Sequence, residues 1–158
     1  MAENVRRLEP GEAAPKFSLT NQDSKLVNSA ELFATPTIMF FFPAAGSPGC
    51  TKEAVDFQEY LQDFSAKGYQ VVGISPDGVE KLMEFSLSHH LTFQLLSDPD
   101  LIAHRAFGAY GQKSLYGRVY TGVLRSTIIT DEKGDINQAL YNVKATGHTN
   151  MLKKRLGI

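Results

Sequence analysis

One side chain in this sequence has both the type and the surroundings of a chemical reagent: Cys50, its sole cysteine. It follows Phe42-Pro43-Ala44-Ala45-Gly46-Ser47-Pro48-Gly49, which ends an apolar run and leads into a helical pattern. At the start of a helix the sulfur lies at the positive end of the dipole, among backbone N–H groups that lack helical partners, and a thiolate is favoured there. Such surroundings lower a cysteine pKa from about 8.5 to between roughly 3.5 and 7.5, so that the nucleophile becomes the dominant form at neutral pH. A lone cysteine is more often inert filler, but a strand-to-helix turn after Ser-Pro-Gly reverses that expectation.

Thioredoxin-type disulfide exchange needs two sulfurs, and the position three after Cys50 is Glu53. Nor does any proline follow Pro99 to serve as the cis-proline that thioredoxin-fold oxidoreductases present to their cysteine. What remains is one-thiol chemistry. His89, His90, His104 and His148 show no ligand spacing with acids or sulfur, so no metal is expected.

The elements that must position Cys50 are legible around it. Residues 37 to 42 form a continuous β-rich apolar run, the pattern of a strand buried on both faces of a sheet, and Pro43 ends it. Ala54, Phe57, Leu61 and Phe64 recur at helical spacing, predicting one helix from Cys50 to the stop at Gly68. Tyr69 to Ser75 reads as a second strand, so strand, helix and strand form a right-handed parallel crossover.

Beyond it, the pattern predicts a helix over Val79 to about His89, with Leu82, Met83 and Phe85 facing the core, and a short strand over Phe93 to Leu96. Ser97-Asp98-Pro99-Asp100 supplies turn and cap residues for a helix through Ala106. Ser126 to Thr130 and Ile136 to Val143 are expected as antiparallel neighbours joined by a turn at Gly134. Thr149 or Asn150 is expected to cap a last helix carrying Met151, Leu152 and Leu156, and Phe17 to Thr20 with Lys25 to Val27 to form an N-terminal β-hairpin. Gly108 to Gly122, rich in Gly and Tyr, is expected as a mobile loop that either spaces the Arg125 strand or borders the pocket.

The fold class is therefore α/β: a thioredoxin-like fold with a central mixed β-sheet flanked by helices, in a single domain over 1–158. Net charge is −1, and the Lys and Arg residues are scattered among acids, which argues against nucleic acid as a partner. No apolar run approaches membrane-spanning length or the form of a secretory signal, so no membrane partner and a cytoplasmic location are expected.

The segment Pro43 to Cys50 resembles the peroxiredoxin pattern of Pro, three residues, Thr or Ser, two residues, then the peroxidatic Cys. With Thr51-Lys52-Glu53-Ala54, Val72-Gly73-Ile74-Ser75, Leu95-Leu96-Ser97-Asp98 and Leu124-Arg125-Ser126-Thr127, the chain is similar to the bacterioferritin comigratory protein or PrxQ branch of the AhpC/TSA-type domain, from roughly Pro10 to Leu156. The resemblance implies a thiol-dependent peroxidase that reduces hydrogen peroxide and alkyl hydroperoxides. In it Cys50 is the nucleophile that becomes a sulfenic acid, and the Ser47 hydroxyl bonds the peroxide. The N–H groups of Gly49 and Cys50 cradle the substrate, Arg125 steadies thiolate and oxyanion, Pro43 shields the sulfur, and Glu53 orients the arginine.

Three positions depart from the branch. Val55 stands five residues after Cys50, where many members carry a resolving cysteine. The sulfenic acid must then be reduced by an external thiol: thioredoxin, glutaredoxin or a low-molecular-weight thiol. Ser47 replaces the commoner Thr, keeping the hydroxyl, and Phe42 replaces a frequent Tyr, losing one. A monomer or weak homodimer is the expected state. A redox sensor would share all these features, and turnover with excess thiol separates it from an enzyme.

Overall fold

The computed structural model describes residues 6–158. Its centre is β3 (Thr37–Phe41), all five residues of which are buried, as the continuous apolar run requires. Side chains alternate across the sheet. Ile38, Phe40 and Phe42 enter one apolar cluster, while Met39 and Phe41 enter another on the opposite face. Two cores on one strand fix its register, because a slip of one residue would exchange them.

β3 pairs in parallel with β4 (Gln70–Ser75), which pairs in parallel with β5 (Gln94–Ser97). On its other side β3 runs antiparallel to β8 (Ser126–Thr130), which is followed by β9 (Ile136–Leu140). The N-terminal hairpin, β1 (Ser18–Asn21) and β2 (Leu26–Asn28), joins antiparallel to β5, giving a seven-stranded mixed sheet in the order β2-β1-β5-β4-β3-β8-β9. Gly134 turns β8 into β9 at φ +79°, with Asp131 accepting from the backbone inside the turn.

Helices cover both faces: α1 (Ser29–Leu32), α2 (Pro48–Glu59), α3 (Leu61–Ala66), α4 (Val79–Ser88), α5 (Ile102–Ala106) and α6 (His148–Arg155). Gly73 on β4 lets α2 seat closely. A Cβ there would lie 2.9 Å from both Leu95 Cδ2 and Phe40 Cζ, in the space that lets Phe40 stack on Phe57 of α2 at 4.4 Å.

Four sequence expectations need correction. The helix after Cys50 is two helices, α2 and α3, separated at Tyr60; Phe64 is fully buried but Leu61 only half-buried. Met83 is 43% exposed, because α4 presents only Leu82, Phe85 and Ser86 inward. The last helix is capped by Gly147 at φ +76°, which lets His148 and Thr149 enter the interior instead of capping from outside.

Residues 108–122 are not a loop. They contain most of an antiparallel ribbon, β6 (Tyr110–Leu115) and β7 (Arg118–Val123), closed at Tyr116-Gly117 with φ +51° and +76°. Positive φ at both central residues is the mark of the two-residue turn whose twist suits a hairpin. Tyr in place of the usual Asn hides that turn in the sequence.

Candidate active site

β3 ends where α2 begins, and this junction places Cys50. Ser47 is the N-cap of α2, Pro48 has no N–H, and the first helical bond runs from Thr51 N to Ser47 O at 2.9 Å. The N–H groups of Gly49 and Cys50 therefore belong to the open, positive end of the helix. The turn before it is held by Asp77, whose Oδ2 accepts from Ala45 N at 2.6 Å and from Ser75 Oγ at 2.9 Å. Asp77 was not singled out in the sequence; it is a residue of the β4–α4 loop acting across the top of the sheet.

Arg125 reaches the same point from the other side. In the β3–β8 ladder Phe41 faces Ser126, so Arg125, one residue earlier, comes level with the exit of β3. Its guanidinium forks: Nη2 donates to Cys50 Sγ at 3.3 Å and Nη1 donates to Glu53 Oε1 at 2.7 Å. Cys50 and Glu53, three apart on α2, lie on one face of the helix, so one rigid fork spans both. Gly49 gives the fork its clearance, since a Cβ there would stand 3.3 Å from Arg125 Nη2.

The electrostatics follow from burial. Glu53 is fully buried; desolvation pushes its carboxyl up to about 7 although Arg125 pulls it down by charge and hydrogen bond. The Arg125 guanidinium, although partly desolvated, is held above its ordinary value by Glu53 and Cys50. His148, on α6, is pushed down to about 4 by burial and by the charges of Arg125 and Arg155. Its Nε2 lies 2.7 Å from Thr127 Oγ1 and its ring meets Phe57 edge-on, so a neutral imidazole stands behind the site.

Cys50 itself has no exposed surface. Arg125, whose Nη2 contacts its sulfur, also lines a cavity of about 330 Å³ together with Pro43, Lys113, Ser114, Tyr120, Asn142 and Val143; Cys50 is not in the lining. The β6–β7 ribbon thus borders the cavity. The structure brings Cys50, Glu53 and Arg125 into contact, with Pro43 on the cavity wall and Gly49 beneath the guanidinium. Ser47 caps the helix, but its hydroxyl donates to Ala44 O at 2.9 Å, which leaves its oxygen lone pairs as the free function. Sequence reasoning set His148 aside with the metal question and did not find Lys113. Among the described residues no cluster of three or more His, Cys, Asp or Glu could hold a metal ion, and no helix is long and apolar enough to cross a membrane.

A mixed sheet whose central strand delivers one thiol to a helix N-terminus, under an arginine just before the neighbouring strand, defines a thioredoxin-like protein built for chemistry at a single sulfur. Comparison with known proteins gives the family. Residues 10–139 match the AhpC/TSA family. A Mycobacterium tuberculosis relative assigned to the peroxiredoxins is 50% identical over 152 residues, 96% of this chain and 97% of its own. Escherichia coli peroxiredoxin Bcp is 36% identical over 141 residues, 89% and 90% of the two chains. A solved structure of Xanthomonas campestris bacterioferritin comigratory protein superposes with a TM-score of 0.84 at 27% identity, covering 98% of each chain. The chain belongs to the AhpC/TSA family and is a peroxiredoxin of the Bcp or PrxQ kind, a thiol-dependent peroxidase with a single cysteine.

Proposed function

We propose that Cys50 reduces hydrogen peroxide and alkyl hydroperoxides by direct attack of its thiolate. The sulfur bonds one peroxide oxygen, the O–O bond breaks, and the departing oxygen takes a proton to leave as water or alcohol. Cys50 becomes a sulfenic acid. The observation that carries this reading is the Arg125 fork, which donates to Sγ while anchored on Glu53. Arg125 stabilises the thiolate and then the developing charge on the peroxide oxygens, helped by the N–H groups of Gly49 and Cys50. Ser47 accepts a hydrogen bond from the peroxide O–H, whose proton ends on the departing oxygen, Pro43 limits water at the sulfur, and Glu53 positions the guanidinium.

An external thiol then restores Cys50. The whole chain, 1–158, acts as one catalytic unit, a monomer or weak dimer in a reducing cytoplasm that keeps an unpaired thiol free. The test is rapid mixing of the reduced protein with hydrogen peroxide, followed by turnover with excess thiol. A fast second-order loss of the thiol and many peroxide equivalents consumed per chain are expected; a slow reaction, or arrest after one equivalent, would sink the reading.

Val55 yields a second expectation. It is 39% exposed on α2, five residues after Cys50. Five residues along a helix place two sulfurs about 140° apart and about 7.5 Å along the axis, so a disulfide between them needs the helix to open. Val55→Cys is expected to form an internal disulfide after one equivalent of peroxide, losing about two mass units relative to its reduced form and part of its helical circular dichroism. The wild type is expected to gain one oxygen, then a second under excess peroxide, as sulfenic acid proceeds to sulfinic acid. Retention of full helicity in the oxidised variant would contradict the helix-opening argument.

A further inference from the structure

The cavity that Arg125 shares with Lys113 carries a charge pattern that the peroxide step does not use. Lys113, on β6, and Arg125 are its two charged lining residues, and no acid lines it. Arg125 is already paired with Glu53 at 2.7 Å. Lys113 stands 5.5 Å from the Tyr120 ring, and among the described residues no carboxylate forms an ion pair with it. While Cys50 is a thiolate, its charge offsets part of that of Lys113 and Arg125. Conversion of Cys50 to the neutral sulfenic acid removes one negative charge and leaves the cavity positive, with the surplus at Lys113.

We propose, resting on the peroxidase reading above, that Lys113 makes the reducing half of the cycle selective for a small anionic thiol. Size follows from access: Cys50 has no exposed surface, and Arg125, which contacts its sulfur, lines a cavity of about 330 Å³ that suits a small molecule. Charge follows from Lys113, with Ser114, Tyr120 and Asn142 available to bond the polar remainder of the ligand. The incoming sulfur attacks Cys50 sulfur, the S–O bond breaks, and the thiol proton leaves with the hydroxyl as water, giving a mixed disulfide. A second thiol attacks the ligand's sulfur, forming the ligand disulfide and returning Cys50 as thiolate.

The experiment oxidises the protein with one equivalent of hydrogen peroxide. The sulfenic acid is then mixed at low salt with 2-mercaptoethanesulfonate, 2-mercaptoethanol or cysteamine, which share a two-carbon skeleton and differ in charge. Quenching by alkylation and mass measurement gives the rate for each. Within one variant the rate ratio of anionic to neutral thiol is compared, so intrinsic thiol reactivity cancels between variants. The ratio is expected to be about tenfold higher in wild type than in Lys113→Gln, and in Lys113→Glu the preference passes to cysteamine. The wild-type preference collapses at about 1 M salt, where the screening length is about 3 Å.

Equal ratios in wild type and Lys113→Gln overturn the proposal. So does a dependence on Lys113 that is as large for oxidation by peroxymonosulfate, an anionic peroxide, because it assigns the lysine to the oxidant. If hydrogen peroxide yields no sulfenic acid in wild type, the peroxidase reading falls first and this one with it.

Discussion

Arg125→Lys is expected to slow oxidation of Cys50 by hydrogen peroxide by roughly two to three orders of magnitude, about the cost of losing one donor to a developing oxyanion. Lysine keeps the charge, so the loss isolates geometry. The guanidinium meets Cys50 Sγ at 3.3 Å and Glu53 Oε1 at 2.7 Å through two nitrogens fixed in one plane. A single ammonium on a flexible stem cannot hold both contacts in that spacing. Rapid-quench measurement of the second-order rate, with Cys50→Ser as the floor of no reaction, reads the effect directly. A loss of less than about tenfold would mean that the fork is structural and that charge near the sulfur suffices.

The junction that carries Cys50 is legible because its causes are local. The continuous β-rich run before Pro43 reads as a buried strand, the period of Ala54 and Phe57 sets the inner face of α2, and Glu53 falls on the face of Cys50 by helical spacing. Arg125 lies 75 positions from Cys50, and no periodicity links them; only its setting in Leu-Arg-Ser-Thr, through the family resemblance, pointed to it. Asp77, Lys113 and His148 share the difficulty without that help. Each acts through the tertiary placement of its element: the loop after β4, the β6–β7 ribbon and the N-terminus of α6. The ribbon itself was hidden because both its faces are largely wet and its turn is Tyr-Gly, so neither hydrophobic alternation nor a usual turn dipeptide announces it.

Two buried groups at the site are expected to give the protein opposed pH dependences of stability. Glu53 is raised from 4.5 to about 7, so the folded chain holds its proton more tightly than the unfolded chain. Its contribution is complete below 4.5 and is lost as pH rises through about 7, some 3 kcal/mol at about 1.4 kcal/mol per unit. His148 is lowered from 6.5 to about 4, so the folded chain resists protonation. Its contribution is complete above 6.5 and is lost as pH falls toward about 4, again some 3 kcal/mol. Between 4.5 and 6.5 the two slopes oppose and nearly cancel, so wild type alone conceals them.

Urea unfolding of Glu53→Gln and His148→Gln beside wild type separates the two. The stability difference between wild type and Glu53→Gln is expected to move against wild type by about 3 kcal/mol from pH 4.5 to 7.5; that for His148→Gln moves in its favour between pH 4 and 6.5. Other titrating groups cancel in these differences. A difference for Glu53→Gln that stays constant with pH would show that the Arg125 pairing fully offsets the desolvation of Glu53. The carboxyl would then titrate as it does in the unfolded chain, and above about pH 5.5 the fork on Cys50 would be anchored by a fully ionised Glu53.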